Sequence, residues 1–125
     1  MEPTARDAFD QVLRTTRAVR RRLDLDRPVP REMVLECLRL AVQAPTASNA
    51  QDWRWLVVTD PDKRAALAEL YAASGAHYLA ARAANATDAQ TRRVYESALA
   101  LTATLGRVPV HVIPCIEQRV DGAPT

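Results

Sequence analysis

Five arginines, Arg14, Arg17, Arg20, Arg21 and Arg22, fall within nine residues of one another. Arg17, Arg20 and Arg21 bracket a single helical turn, so two of them can converge on one anion. A guanidinium fork matches phosphate oxygens two at a time, which makes such a pair a natural phosphate clamp. The plainer reading is a solvated basic face at a helix end, where cations also favour the helix dipole. A second constellation is Ala44-Pro45-Thr46-Ala47-Ser48-Asn49-Ala50-Gln51-Asp52-Trp53-Arg54. Pro45 cannot donate to a helix ladder and pushes the residue before it out of helical space. The small and polar residues that follow can bring a backbone N–H or an amide close to a ligand. The Asn49 amide offers two donors and an acceptor, enough to read the polar edge of a flat heterocycle. Asparagine in a loop is also an ordinary turn former. Thr46 and Ser48 can cap or hydrogen-bond locally, and no general base is paired with either.

Other chemistries find less support. His77 falls in an alanine-rich helical stretch and His111 in a strand-like run, so both read as structural histidines rather than members of a hydrolase triad. His111 and Cys115 share a strand face, but two ligands do not make a metal site. The three glycines, Gly75, Gly106 and Gly122, form neither a Walker loop nor a dinucleotide-binding turn. Cys37 and Cys115 are too few for a disulfide framework and are expected to be buried free thiols. The net charge of +2 argues against a general nucleic-acid binder, although the arginine patch can meet phosphate, an acidic partner or a membrane surface. No charged-then-apolar leader and no bilayer-length apolar run is present, so the expectation is a soluble cytoplasmic protein with no membrane role.

The elements that must hold these residues follow from periodicity. The 125 residues give room for one domain, 1–125, with 48% hydrophobic and only 5% aromatic residues, so its core must rest on Leu, Val and Ala. Thr4 with Asp7 caps a first helix carrying Phe9, Val12 and Leu13 on one face. Asp24 to Pro30 reads as an extended loop, and a second helix starts at Pro30 and runs to the stop at Pro45. Trp53 to Thr59 is a strand, apolar on both faces beyond Arg54, as in a central strand covered by helices. Asp60-Pro61 caps a third helix that Gly75 is expected to break, leaving a fourth over residues 76–84. Thr87 with Gln90 forms another capping box, and a fifth helix ends at Gly106. Val108 to Ile116 is a second buried strand, and a polar tail runs from Glu117. The fold class is therefore α/β or α+β, a central sheet flanked by helices, with two strands that each want further neighbours.

Taken in register, Thr16-Arg17-Ala18-Val19-Arg20-Arg21, Pro28-Val29-Pro30 and the loop from Ala44 to Trp53 resemble the N-terminal half of the nitroreductase family of FMN-dependent oxidoreductases. That family shows Arg-Ser-x-Arg, a Pro-Val-Pro helix start, and Ala-Pro-Ser-x-x-Asn-x-Gln-Pro-Trp leading into a strand. The resemblance covers residues 14–59 closely, and the later helices and strand fit. It implies an α+β layer fold and a homodimer with FMN at the subunit interface. It also implies that Arg17, with Arg20 or Arg21 or both, holds the FMN phosphate. Pro45 and Thr46 would lie against the flavin, Asn49 would hydrogen-bond its ring system, and Trp53 would start the strand. Catalysis would be ping-pong, from NAD(P)H through the flavin to a small acceptor of nitroaromatic or quinone type, with the flavin carrying the difficult chemistry and no separate catalytic residue.

Several positions depart from the pattern. Ala18 stands where the family often has serine, Asp52 replaces the proline before Trp53, and no aromatic occupies positions 22–23. The family also continues through a glycine-bearing segment, further strands and a C-terminal basic residue, so the domain is expected to be incomplete at its C-terminus. Two further functions stay open at this point. One is a non-catalytic or fragmentary flavin- or nucleotide-binding domain. The other is a basic helical module that binds an acidic partner.

Overall fold

A computed structural model describes residues 4–117, with the element order helix, helix, strand, helix, helix, strand. Helix α1 (Ala5–Thr15) starts at a reciprocal capping box. The Thr4 hydroxyl accepts from the Asp7 N–H at 3.2 Å, and the Asp7 carboxylate accepts from the Thr4 N–H at 3.0 Å. Hydrogen bonds from the Thr4 hydroxyl and then its N–H hold the Asp7 carboxyl below its ordinary value. Helix α2 (Arg31–Ala41) begins one residue after Pro30, which is the cap rather than the first helical position. It stops at Ala41, short of Pro45, and two turn hydrogen bonds, from Gln43 N–H to Leu40 and from Ala44 N–H to Ala41, close the end.

Strand β1 (Trp53–Val58) leads to helix α3 (Pro61–Ala84), where the Asp60 carboxylate accepts from the Lys63 N–H at 3.0 Å and Pro61 opens the first turn. Gly75 does not break this helix. Its missing Cβ would meet nothing within 4 Å, and the alanine-rich sequence on either side carries the ladder through it. The two helices expected over residues 61–84 are therefore one. Helix α4 (Ala89–Thr104) is capped by Asp88 rather than by the Thr87–Gln90 box. The Asp88 carboxylate accepts from the Thr91 N–H at 2.8 Å, and that bond is the main cause of its lowered pKa. The helix gives way to a 3-10 turn, Leu105–Arg107, with Gly106 inside it. Strand β2 (His111–Ile116) begins three residues later than the apolar run.

β1 and β2 pair antiparallel, with Trp53 opposite Ile116 and Val58 opposite His111. The α+β expectation holds. The expectation of covered strands does not: Leu56 is 55% exposed and Ile116 67%. The packed centre lies where α3, α4 and the 3-10 turn meet, beside the end of β1. Val58 and His111 are buried at that end of the sheet, and Ala98 and Ala83 along the contact of α3 with α4. Small residues let the backbones approach: a Cβ on Gly106 would lie 3.4 Å from Ala68 Cβ and 3.5 Å from Ala65 Cα. Arg64 ties this region together, donating to the carbonyls of Thr59 (3.2 Å), Gly106 (3.2 Å) and Val108 (2.7 Å). His111 is the structural histidine expected of it, its Nε2 2.8 Å from the Leu105 carbonyl oxygen.

Helices α1 and α2 stand apart from this centre. An apolar gap of about 390 Å³ separates α2 from β2, lined by Met33, Val34, Leu38, Val110 and Val112 among others. The chain exposes 10415 Å² in all. Phe9, Val12 and Leu13 of α1 and Met33 and Leu40 of α2 are each more than half exposed, so these apolar stripes face outward. The same openness corrects two readings. Cys37 and Cys115 are exposed rather than buried, and His77 lies on the open face of α3. The polar tail lies outside the described residues beyond Glu117.

Candidate functional site

The arginine segment follows the end of α1 and is not helical: Thr16 has left helical geometry, and a turn occupies residues 21–22. A helical turn therefore does not bring the arginines together. Long-range packing does. Arg20 is half-buried and its Nη1 reaches the Ser97 hydroxyl on α4 at 3.4 Å. Arg17, Ala18 and Arg20 line one side of an open cleft of about 520 Å³, and Gln90, Arg93 and Ser97 of α4 line the other. That volume lies within the range of small-molecule sites. Arg21 shares a neighbouring smaller cleft, about 150 Å³, with Arg20, Leu23, Ala100 and Thr104.

Among the described residues, the ion pairs are Arg54–Glu117 and Arg107–Asp26. Neither involves Arg17, Arg20 or Arg93, so three guanidinium groups border one cleft without a carboxylate at salt-bridge distance. Arg17 donates to the carbonyls of Arg14 (3.0 Å) and Thr16 (2.7 Å), which partly fulfils the plainer reading of a cation at a helix end. Arg93 donates to the Gln90 side-chain oxygen at 2.8 Å, which orients its fork.

The second constellation is a strained loop. A 3-10 turn spans Ala47–Asn49, and three residues without glycine's freedom have positive φ: Ser48 (52°), Asn49 (54°) and Gln51 (52°). Each left-handed residue costs on the order of 1 kcal/mol, and such strain clusters at ligand clamps and switch regions. Local bonds offset part of it. The Gln51 N–H donates to the Thr46 hydroxyl at 3.2 Å, and the Gln51 amide donates to Asn49 Oδ1 at 2.6 Å. These bonds leave the Asn49 amide nitrogen free, among the described residues, to donate outward. Thr46 is half-buried, while Pro45 and Asn49 are exposed.

The cleft bordered by these three guanidinium groups suits a phosphate. The loop presents the Asn49 amide, but Pro45, Thr46 and Asn49 line neither arginine cleft. The structure thus brings Arg17 and Arg20 to one cleft, places Arg21 in a neighbouring one with Arg20, and puts Pro45, Thr46 and Asn49 in neither. Sequence reading missed Arg93 and Ser97. Their i, i+4 spacing puts them on one face of α4, but only a contact 77 residues long in sequence shows which face meets Arg20.

A family model described as the nitroreductase family matches residues 13–123, most of the chain. The chain belongs to the nitroreductase family. It is 44% identical over 59 residues to a "4-nitrobenzoate reductase" of Nocardioides sp. (strain LMS-CY), covering 47% of this chain and 23% of that protein. It is 48% identical over 42 residues to an "NADH dehydrogenase" of Thermus thermophilus, covering 34% of this chain and 20% of that protein. The matched segments thus span about a fifth of the length of these relatives. No solved structure gives a significant match. Among the described residues, no helix is long and apolar enough to cross a membrane, and no three His, Cys, Asp or Glu side chains group to hold a metal. Against the family pattern, Ala18 removes a hydroxyl from the arginine segment, and the Ser97 hydroxyl stands in the cleft that Ala18 lines.

Proposed function

We propose that this chain binds FMN and serves an oxidoreductase that passes a hydride from NAD(P)H to a small acceptor of nitroaromatic or quinone type. The observation that carries this reading is the cleft where Arg17 and Arg20 lie with no carboxylate partner among the described residues, in a chain of the nitroreductase family. The names of the two relatives, a nitrobenzoate reductase and an NADH dehydrogenase, agree with redox chemistry on an aromatic acceptor and a nicotinamide donor.

When bound, FMN supplies the hydride relay between the two substrates. The chain's residues bind and orient. Arg17 and Arg20 clamp the phosphate, with Arg21 at the margin. Pro45 and Thr46 present a flat, weakly polar surface to the ring. Asn49, oriented by Gln51, donates its amide to the ring's polar edge. The bonds from Gln51 to Thr46 and Asn49 hold that surface in its positive-φ conformation before the ligand arrives. The phosphate clamp and the loop do not share a cleft within one copy, and the apolar faces of α1 and α2 are open. Both features support a homodimer in which the second copy covers the flavin.

Incubation of the 125-residue chain with FMN, followed by desalting, should leave yellow protein, and NADH or NADPH should then be oxidised in the presence of a nitroaromatic. A colourless preparation that oxidises neither nucleotide overturns the reading. FMN retained without turnover would instead support the non-catalytic flavin-binding domain, which the separation of clamp and loop favours as the second reading.

A further inference from the structure

We propose that Arg93 and Ser97 of α4 complete an anion site with Arg17 and Arg20, built for a phosphomonoester dianion. Three guanidinium groups line one cleft from two segments distant in sequence, and none has a carboxylate at salt-bridge distance among the described residues, although Asp88 is near enough to Arg93 to feel its charge. Like charges gathered this way repel, and an anion of two charges relieves that repulsion while accepting from each fork. The Gln90 side chain fixes Arg93 through a 2.8 Å bond, so the fork is oriented before binding. Ser97 adds a hydroxyl beside Arg20. It donates at present to the Val94 carbonyl at 2.8 Å, and a rotation about its side-chain bond redirects that proton into the cleft. Arg93 and Ser97 thus offer one cation and one hydroxyl where Ala18 offers none. That the anion is the phosphate of FMN rests on the reading above. That the cleft takes a phosphomonoester rests only on its own charges.

The test compares FMN with riboflavin, which lacks the phosphate, by quenching of flavin fluorescence on the 125-residue chain. Inorganic phosphate is titrated separately by calorimetry. Arg93→Gln should weaken FMN roughly tenfold or more, the loss of a charge-assisted contact, and leave riboflavin unchanged. Ser97→Ala should weaken FMN less, in the same sense. Arg92→Gln removes the same charge from a neighbour that donates to the Ala86 carbonyl and does not line the cleft, and should change FMN binding less than about twofold. Arg93→Lys, which keeps the charge and loses the fork, should fall between wild type and Arg93→Gln. Circular dichroism confirms that each variant keeps its helices, and Arg93→Lys carries the test if Arg93→Gln unfolds.

If neither flavin binds but inorganic phosphate binds wild type and not Arg93→Gln, the flavin reading fails and the anion site stands. If riboflavin binds as tightly as FMN, the anion site is overturned and the flavin reading survives. Equal losses in Arg92→Gln and Arg93→Gln overturn it too, since bulk charge then accounts for the effect. Wild type binding neither FMN nor phosphate overturns both.

Discussion

The region of α3, α4 and the 3-10 turn after α4 differs from the region of α1, α2 and the loop between α2 and β1 in how each handles its apolar residues. In the first, Ala83 and Ala98 are buried and Arg64 bridges to three carbonyls, although Leu70 of α3 is 67% exposed. Arg82 also lies 5.2 Å from the Tyr95 ring centroid and donates to its hydroxyl at 3.1 Å, joining α3 to α4. In the second, Phe9, Leu13 and Leu40 are all more than 60% exposed, and the loop holds strained backbone through a few local bonds. The tight region supplies the scaffold and one wall of the arginine cleft, through Arg93 and Ser97, and the segments outside it supply Arg17, Arg20 and the strained loop.

The largest test of that contrast is Arg64→Ala. It strips charge-assisted bonds from the Thr59, Gly106 and Val108 carbonyls and should cost about 2–3 kcal/mol, read as a lower urea midpoint. A loss below about 0.5 kcal/mol would mean that the tight region is not held as described. Gly75→Ala should act in the opposite direction. The helix passes through an open position there, so the substitution should add about 0.5–1 kcal/mol to thermal stability. Any destabilisation would point to a contact that the open position does not show.

The helix caps sharpen the comparison through pH. Asp88 has its pKa lowered in the folded chain, chiefly by the Thr91 N–H. A depressed folded pKa contributes stability that is present above the unfolded value of about 3.9 and is lost as pH falls through the folded value. Helix content should therefore decrease on acidification below about pH 4, and Asp88→Asn should flatten that part of the titration by circular dichroism. Asp7, lowered by Thr4, should behave alike at α1. The smallest effect belongs to the open region: Phe9→Ser should change stability by less than about 0.5 kcal/mol. Amide exchange should be fast along α1 and slow along the buried parts of α3 and α4. Slow exchange in α1 would mean that its exposed stripe is covered in solution.

Much of the local structure was legible in the sequence. The Thr4–Asp7 box, the Asp60-Pro61 start and the strand content of Trp53 to Val58 are short-range signals, each complete within a few residues. Errors arose where one signal competed with another. Gly75 is a weak helix residue, but the alanines and leucine from Ala76 to Ala84 favour the ladder, and no packing partner among the described residues forces a break. Asp88 outcompeted Thr87 because its carboxylate accepts a charge-assisted bond from the helix start. Burial of Cys37 and Cys115 was misread because apolar spacing marks a face without showing what covers it.

By itself the sequence determined the family-bearing residues, the helix starts, the strand content and the presence of an arginine cluster and a polar loop. These depend on composition and spacing over short stretches of chain. Only the tertiary structure decided that Arg17 and Arg20 face Arg93 and Ser97, that Arg21 stands aside, and that the loop takes positive φ at three residues. Such facts rest on contacts between segments far apart in the chain and on backbone strain, and neither leaves a periodic trace in the sequence. The arginine cleft exists because α4 lies against residues 17–20, and that choice was made by packing.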